Sequence, residues 1–265
     1  MAIITVSREM AALGDEIGHE LMQLQGYRVI DRKLIEARFE QYGIGPEKRE
    51  KYDEKKPSFW ASLSQEKDDY LHFLKTVLYE FAVDGNCVIL GRGGEALFAG
   101  LPGTLSVRVV SPRAVRVERL MSYFHRDEKW ATQLIELSDR NRGGFHRAFF
   151  DKDWGDAANY QLVINTGALS AAVAAKLIFT LKDELITPAA EEEGRRLLAD
   201  RVLAQKVITS ILFEKKIAIH FLEATSEGGD VFLHGVTSYQ PAIDAAVAAA
   251  KAVPGVKSVR TDMPV

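Results

Sequence analysis

TVSREMAALGDEIGHEL, residues 5–21, joins a strand-like pattern to a helix-like one. The apolar run AIITV at residues 2–6 predicts a buried strand, and Ile17, Leu21 and Leu24 recur at helical spacing after the turn. A strand that turns straight into a helix leaves backbone N–H groups pointing at the turn, where the helix dipole also favours an anion. The segment therefore has the layout of a phosphate-binding loop.

The residues of this turn depart from the usual phosphate-loop fingerprint. That fingerprint is G-x-x-x-x-G-K-[ST], whose glycines wrap the phosphates while the lysine neutralises them and the hydroxyl holds magnesium. Gly14 is the one glycine of the turn, no lysine follows it, and Asp15 and Glu16 open the helix instead. Acidic residues stabilise a helix N-terminus by about 0.3–1 kcal/mol, but they repel a phosphate there. From the motif alone, an ordinary strand–turn–helix is the favoured interpretation.

Composition narrows the class of protein. The 265 residues are 47% hydrophobic and 27% charged, which is typical of a soluble globular protein with one large domain or two ordinary ones. A net charge of -3 gives no electrostatic case for a nucleic-acid partner or an anionic membrane. Because the chain lacks a leader-like start and a span-length apolar run, we expect a cytoplasmic protein without a transmembrane segment.

Cysteine and histidine usage indicates neither a disulfide nor a metal site. Cys87 is the single cysteine, and its apolar neighbours in NCVILG predict a small core residue. The histidines show no zinc-ligand spacing, and His220 and His234 are expected to be exposed strand residues. No metal-ligating residue is therefore expected.

Predicted strands alternate with predicted helices up to residue 186. Continuous apolar runs such as NCVILG, TLSVRVV and YQLVINT are typical of parallel strands, and GYRVIDRKLI predicts a short strand entering a helix. Helical spacing marks residues 15–24, 68–85, 128–138 and 168–185. The alternation predicts a parallel α/β sheet with right-handed crossovers.

Two further segments of this region carry local predictions. In SPRAVRVERLM, Ser111 is the expected N-cap of a helix and Pro112 its first residue. The segment EKREKYDEKKPSFW at 47–60 is highly charged, which favours an exposed helix or a mobile stretch. A lid or a partner surface is the alternative for it.

The last quarter of the chain has a different organisation. At TPAAEEEG, residues 187–194, Pro188 and a run of glutamates indicate a linker or a solvated helix start. The order beyond it is helix, strand, strand, helix, strand, and SEGGD between the middle strands is a hairpin signal. We therefore expect a first domain at 1–186, the linker, and a small α+β domain at 195–265.

The opening of the chain resembles a known family. SREMAALGDEIGHEL followed by YRVIDRKLI is similar to the start of the cytidylate kinase-like family, a branch of the P-loop nucleoside monophosphate kinases. That family has a strand, then Ser-Arg-Glu-x-Gly-Ser-Gly-Gly-Arg-Glu-Ile, then Asp-Arg-Glu near its second helix, and it lacks the usual lysine. The matching positions here are Ser7, Arg8, Glu9, Gly14, Glu16, Ile17, Asp31 and Arg32.

The loop departs from the family pattern at four positions. Ala11, Ala12 and Leu13 replace three small residues, and Asp15 replaces an arginine. Leu13 brings a bulky side chain into the turn, and Asp15 places a negative charge where the family has a positive one. Both changes predict a weaker grip on ATP.

Later segments extend the resemblance over most of residues 1–182. LGRGGEALF is similar to the family's Gly-Arg-Gly turn after the third strand, RVERL to its helix before the lid, and DRNRGGF to its Asp-x-x-Arg-x-x-Tyr motif, with Phe145 at the tyrosine. DKDWGDAANYQLVINT is similar to its Asp-Trp…Tyr-Asp-Leu-Val-Ile-Asn-Thr segment, with Gln161 replacing the acidic residue. The resemblance implies a P-loop kinase-like fold of three layers, a parallel sheet with helices on both faces.

Residues 195–265 resemble a BON domain. The resemblance lies in LADRVLAQKVITSIL, in IAIHFLEATSEGGDVFLHGVTS, and in AVAAAKAVPGVKSVRTDMPV. Gly235 fits a close backbone approach or a bulge. Such domains are linked to phospholipid or ligand contact, often outside the cytoplasm. The lysines are scattered in this copy, so a regulatory or self-association role, as in a homo-oligomer, is at least as well supported as a lipid or protein contact.

The resemblance implies transfer of a phosphoryl group from ATP, with Mg²⁺, to a nucleoside monophosphate such as CMP. That reaction needs positioning and cancellation of charge, which guanidinium groups supply. The alternative, motivated by the changed loop, is a catalytically weak nucleotide- or phosphate-sensing module that acts through the C-terminal domain; a lipid- or protein-binding adaptor is a third. The implied site residues are Arg92, Arg116, Arg119 and Arg142 for catalysis, Ser7, Arg8, Glu9 and Gly14 for ATP, and Asp31, Arg32 and Asp139 for the acceptor.

Two of these assignments have plain structural alternatives. A surface ion pair would account for any one of the arginines, and RVERL could be a solvated helix face that includes Glu118. A helix N-cap is as good an account of Asp31 as an acceptor contact.

Overall fold

A computed structural model describes residues 1–47 and 65–264, so the charged segment at 47–60 lies, apart from Glu47, outside the described residues. The chain divides into two compact units, Met1–Glu192 and Glu193–Val265. Within the described ranges, no helix combines the length and the apolar character that crossing a membrane requires.

The first unit is built on a five-stranded parallel sheet in the order β2-β3-β1-β4-β5. Its central strand β1 is buried, as its run of apolar residues predicts. The order reverses at β1, and in open α/β sheets ligands bind at such a switch point, beyond the carboxyl ends of the strands. The strands are β1 (Ile3–Arg8), β2 (Arg28–Ile30), β3 (Cys87–Leu90), β4 (Thr104–Val110) and β5 (Leu162–Asn165).

Helices cover both faces of this sheet. Ile4 and Val6 of β1 belong to one apolar core with Ile17 of the first helix and Ile178 of the last. The helix after β3 lies against Thr5, whose alternation along β1 places it on the opposite face. The helices are α1 (Gly14–Gln25), α2 (Arg32–Gln41), α3 (Gln65–Val83), α4 (Gly94–Leu97), α5 (Arg113–Phe124), α6 (Glu128–Phe150) and α7 (Ala171–Leu185).

Cys87 lies in the buried interior of the first unit. Its side chain is fully buried on β3, as the sequence predicts. Burial raises the pKa of the thiol to about 12. Since the thiolate is the reactive form, Cys87 is a core residue and not a nucleophile.

Two local predictions for the first unit are wrong. The N-cap of α5 is Pro112, not Ser111: the helix begins at Arg113, and the Ser111 hydroxyl accepts from Arg119 Nη1 at 3.4 Å instead of from a backbone N–H of the first turn. Helix α6 does not end near residue 138 but runs on to Phe150. Buried Phe145 continues the apolar face begun earlier in the helix, which outweighs the glycines of DRNRGGF.

The second unit is a small α+β fold, and its predicted order of elements is confirmed. Helix α8 (Pro188–Ile208) includes the segment for which the sequence allows a linker or a helix start, and a π-helical turn (Thr209–Glu214) follows it. A linker at 187–194 that separates two functional domains stays a prediction. Then come the hairpin β6 (His220–Glu227) and β7 (Asp230–Val236), helix α9 (Gln240–Lys251), and β8 (Ser258–Thr261), which pairs with β7 in parallel.

Exposure and packing in this sheet match the sequence-based expectations. His220 and His234 are exposed strand residues. A Cβ at Gly235 would lie 2.8 Å from Ile219 Cγ2, which is the close approach expected at this position, and the β6–β7 register shifts between His220 and Glu223.

Candidate functional site

The turn between β1 and α1 contains two left-handed residues that are not glycine. Ala11 and Leu13 have φ angles of 59° and 64°, in the left-handed region. For residues with a Cβ this conformation costs about 1–2 kcal/mol each. Leu13 is the N-cap of α1 and its side chain caps nothing, so the helix begins with backbone N–H groups alone. Leu13 lines a cavity beside the turn.

Two residues from neighbouring elements hold this loop by its carbonyl oxygens. Thr166, after β5, donates its hydroxyl to Ala12 O at 2.9 Å. Arg119 of α5 donates to Ala11 O at 3.0 Å and to Thr166 O at 2.7 Å. These bonds offset the strain of the left-handed residues. Sequence reasoning missed Thr166, although its place at the end of a predicted strand put it near the same sheet edge.

A second group of predicted site residues is bonded behind the loop. Arg116 is 4% exposed; its Nη1 lies 2.9 Å from Glu9 Oε2 and both its Nη atoms bond Asp139 Oδ2, at 2.9 and 2.5 Å. Burial raises the pKa of Asp139, although the positive charge of Arg116 acts to lower it. The charges of Arg116, Glu9 and Asp139 are therefore directed at one another, and Arg116 does not lie on a solvated helix face.

Ser7 lies beneath the loop and is buried. Its Oγ accepts a bond from Trp154 Nε1 at 2.7 Å and from the Tyr160 hydroxyl at 3.3 Å. The Arg108 guanidinium stacks 4.1 Å from the centre of the Trp154 ring and donates to Trp154 O at 2.6 Å. Ser7 thus ties the segment after α6 to β1.

Four arginines line one cavity at the carboxyl edge of the sheet. This first cavity has a volume of about 710 Å³. Arg8 comes from the end of β1, Arg92 from the turn after β3, Arg32 from the start of α2 and Arg142 from α6. Elements far apart in the sequence therefore bring four positive charges to one place, which favours a polyanion.

Arg92 is the most deeply placed of the four. It is 5% exposed, and its φ of 58° is in the left-handed region, as are the φ angles of its neighbours Gly91 and Gly93. A Cβ at Gly93 would lie 2.1 Å from the Phe150 ring, so glycine is required there. Burial, followed by the charges of Arg32 and Arg8, lowers the pKa of Arg92 to about 9, and the group stays charged at neutral pH.

The other lining groups already have partners within the protein. Arg8 Nε donates to Asp15 Oδ1 at 3.1 Å, and Arg32 Nε lies 2.6 Å from Glu36 Oε1. Arg142 Nη1 donates to Ser138 Oγ at 2.7 Å. Asp31 lines the cavity and is also the N-cap of α2, where its carboxylate accepts from Leu34 N at 3.0 Å, so the N-cap expectation is confirmed.

A second cavity, of about 930 Å³, lies on the α5 side of the loop. Its walls are loop residues 9–14, the start of α1, and the side chains of Arg119, Tyr123 and Phe124. Tyr123 is 78% exposed and Phe124 is 49% exposed. The two cavities adjoin each other, because both are lined by Arg8, Met10, Asp15, His19 and Arg142.

The family assignment follows from this arrangement together with the sequence. The chain belongs to the cytidylate kinase-like family, whose sequence profile matches residues 3–168. The profile of the BON domain matches residues 199–265, so the second unit is a BON domain. The first unit accordingly has a P-loop kinase-like α/β fold, and fold and family support a kinase-like, nucleotide-related function.

Individual relatives are distant or partial. A crystal structure of an uncharacterized protein from Eubacterium ventriosum is 18% identical, with a TM-score of 0.55, covering 69% of this chain and 98% of that one, which shows likeness of fold. Shikimate kinase from Acinetobacter baumannii is 15% identical with a TM-score of 0.40, covering 69% of this chain and 94% of that one. Uronate isomerase from Corynebacterium glutamicum is 36% identical over 89 residues, which are 34% of this chain and only 17% of that protein's length.

Proposed function

We propose that the first unit transfers the terminal phosphoryl group of ATP to a nucleoside monophosphate such as CMP. The observation that carries the proposal is the convergence of Arg8, Arg32, Arg92 and Arg142 on one cavity beside the β1–α1 loop. Membership of the cytidylate kinase-like family favours a nucleotide over other polyanions.

The acceptor nucleotide would occupy the first cavity. Its volume of about 710 Å³ is in the range of small-molecule sites. Planar guanidinium groups grip phosphate oxygens in pairs, so Arg92 and Arg142 would hold the acceptor phosphate. Val29, Leu90 and Leu134 supply apolar wall for the sugar and base.

The donor nucleotide would occupy the second cavity. Backbone N–H groups at the start of α1 would face its phosphates, while Arg119 and Thr166 hold the loop in shape from behind. Tyr123 and Phe124 expose aromatic faces on which a base can stack. The negative charge of Asp15 repels the phosphates, and its ion pair with Arg8 weakens that repulsion.

Magnesium would enter with the donor. Within residues 1–47 and 65–264, no group of three or more His, Cys, Asp or Glu side chains is arranged to hold a metal ion. This fits Mg²⁺, which keeps several waters and binds through one or two carboxylates plus substrate phosphates. Glu16 lines the second cavity and would supply that carboxylate. The ion, when bound, neutralises phosphate charge.

The chemical step needs charge cancellation more than proton transfer. Arg8 and Arg142 line both cavities, so they border the path from donor to acceptor. There they would stabilise the negative charge on the moving phosphoryl group. Because an acceptor phosphate oxygen is already ionised at neutral pH, no strong general base is required.

The test is ADP release measured with ATP, Mg²⁺ and a panel of nucleoside monophosphates. Turnover with at least one monophosphate, greater than without acceptor, supports the proposal; ADP release equal to that of the no-acceptor blank for the whole panel contradicts it. Calorimetry with ATP and with CMP then measures each binding step separately.

A second function is favoured by one specific observation, the Arg8–Asp15 ion pair at 3.1 Å. In this alternative the protein binds nucleotide or phosphate with little turnover and regulates through the BON domain. Binding of CMP or ATP by calorimetry, combined with no ADP release, would support the sensing role over the kinase.

A further inference from the structure

A buried pair joins the two elements that carry Arg92 and Arg142. Glu95 lies in α4, which begins directly after the Arg92–Gly93 turn, and is 3% exposed. His146 lies one helical turn after Arg142 in α6 and is 2% exposed. Glu95 Oε1 is 2.7 Å from His146 Nε2. The contact therefore bridges the turn that holds one arginine and the helix that holds the other.

The geometry around His146 indicates where the protons of this pair lie. Its Nδ1 lies 2.8 Å from the carbonyl oxygen of Arg142, which can only accept, so Nδ1 carries a proton. Nε2 lies 2.7 Å from Glu95 Oε1 without the alignment of a hydrogen bond, and at this distance a proton shared by the two groups is favoured over two facing lone pairs. If that proton is lost, two acceptors face each other inside the core, which is costly.

Other charged and titratable groups approach the pair from neighbouring elements. Arg108 of β4 stacks on Trp154, whose ring centre is 6.1 Å from that of His146. The charge of Glu95 contributes to raising the pKa of Tyr160, after burial. The cation at Arg108 opposes a further positive charge on His146, whereas the carboxylate of Glu95 favours it.

We propose that Glu95 and His146 are a positioning pair that sets the separation of Arg92 and Arg142, and that tight binding of the acceptor phosphate requires their shared proton. The inference rests on the proposed function, because it takes the two arginines as the acceptor-phosphate ligands. Neither member of the pair lines the cavity, so their effect reaches the ligand through the two arginines.

The test is CMP binding by calorimetry between pH 7 and pH 8.5. The CMP phosphate loses its second proton near pH 6, so its charge is almost constant in this range. In the wild type, affinity should fall as the shared proton is lost, by at most about tenfold per pH unit for a single linked proton. In Glu95→Gln, the amide N–H can donate to neutral Nε2 without that proton, so the affinity should depend less on pH. Glu184→Gln, an exposed glutamate on α7, is the control and should behave as the wild type.

The outcomes separate this inference from the function on which it rests. No CMP binding by the wild type at pH 7 would overturn the proposed function. Binding with equal pH slopes in the wild type and Glu95→Gln would overturn the pair's role, since ionisation of Arg92 contributes equally to both. If Glu95→Gln does not fold, the ¹⁵N resonances of the His146 ring in the wild type replace it as the test. A protonated Nδ1, together with loss of the Nε2 proton over the same pH range in which CMP affinity falls, supports the role of the pair. An unprotonated Nδ1, or loss of the Nε2 proton without a change in CMP affinity, overturns it.

Discussion

Arg8 and Asp15 face each other across the β1–α1 turn, with Arg8 Nε and Nη2 each 3.1 Å from Asp15 Oδ1. The stem of Arg8 also lies on Gly14, where an added Cβ would come within 2.4 Å of Arg8 Cγ. In the proposed site, Asp15 thus occupies the position in which Arg8 would meet a phosphate oxygen. A nucleotide that binds here must compete with a carboxylate that belongs to the protein.

Replacing Asp15 should strengthen ATP binding. Removing one unit of negative charge from the helix N-terminus makes the binding of an anion there more favourable by about 0.3–1 kcal/mol. We expect roughly threefold tighter ATP binding in Asp15→Asn and roughly tenfold in Asp15→Lys, measured by calorimetry. Unchanged affinity in both variants would show that the turn does not face the donor phosphates.

Arg142→Ala should lower turnover at least about a hundredfold, because loss of one group aimed at transition-state charge typically has that effect. The far-ultraviolet circular dichroism and the unfolding temperature should change little, since Arg142 is only partly buried. Arg147→Ala is the matched control: it removes an exposed arginine from the same helix that lines neither cavity. Equal losses in the two variants would remove Arg142 from the mechanism.

Anions should stabilise the protein through Arg92. The pKa of Arg92 in the fold, about 9, is below its ordinary value, so folding disfavours its charged form throughout the range below pH 9, and a bound anion relieves that cost. At a CMP concentration of 100 times Kd, the gain is about 2.7 kcal/mol, or roughly 5–10 °C in Tm.

The lowered pKa of Arg92 also determines how the CMP-induced gain in Tm changes with pH. The part of the CMP-induced Tm gain that depends on the charge of Arg92 should be full at pH 7–8 and shrink as the pH rises through 9, where Arg92 loses its proton. In Arg92→Met the gain should be small at every pH. An undiminished CMP-induced shift in Arg92→Met, followed by differential scanning fluorimetry, would place the anion elsewhere.

Thr166→Val should weaken the loop without touching a ligand. The substitution leaves Ala12 O without the Thr166 hydroxyl, a loss of about 1–3 kcal/mol for a buried carbonyl. We expect lower unfolding free energy and weaker ATP binding, with CMP binding affected less. Thr166→Ser keeps the donor and should retain most of the ATP affinity; a loss equal to that of the valine variant would assign the effect to packing.

The fold could be predicted from the sequence because its elements have local signals. Apolar runs such as NCVILG mark strands that are buried on both faces, and alternation with helices predicts a parallel sheet. The failures are also physical. Helix α6 continues through Gly143, where an added Cβ would meet nothing, because Phe145 extends the buried face. Ser111 does not cap α5, because its hydroxyl accepts from the Arg119 side chain at 3.4 Å and not from a backbone N–H of the first turn.

The sequence could predict which residue types form the candidate site, but not which of their side chains line the cavity. The sequence singles out Arg92, Arg116, Arg119 and Arg142 alike, and the structure places only Arg92 and Arg142 of these on the first cavity. Arg116 meets carboxylates and Arg119 meets loop carbonyls, through partners that only the folded chain brings close. Likewise, the proximity of Glu95 and His146 has no local sequence signal.

The inaccessibility of Cys87 has a practical consequence for observing this protein at work. Because the Cys87 thiol is buried in the sheet and has a pKa of about 12, it should not react with maleimide dyes at neutral pH. A cysteine introduced at exposed Tyr123 could then be coupled to a fluorophore in an otherwise native background. Nucleotide entry beside that position would become an optical signal without any need to remove the natural sulfur.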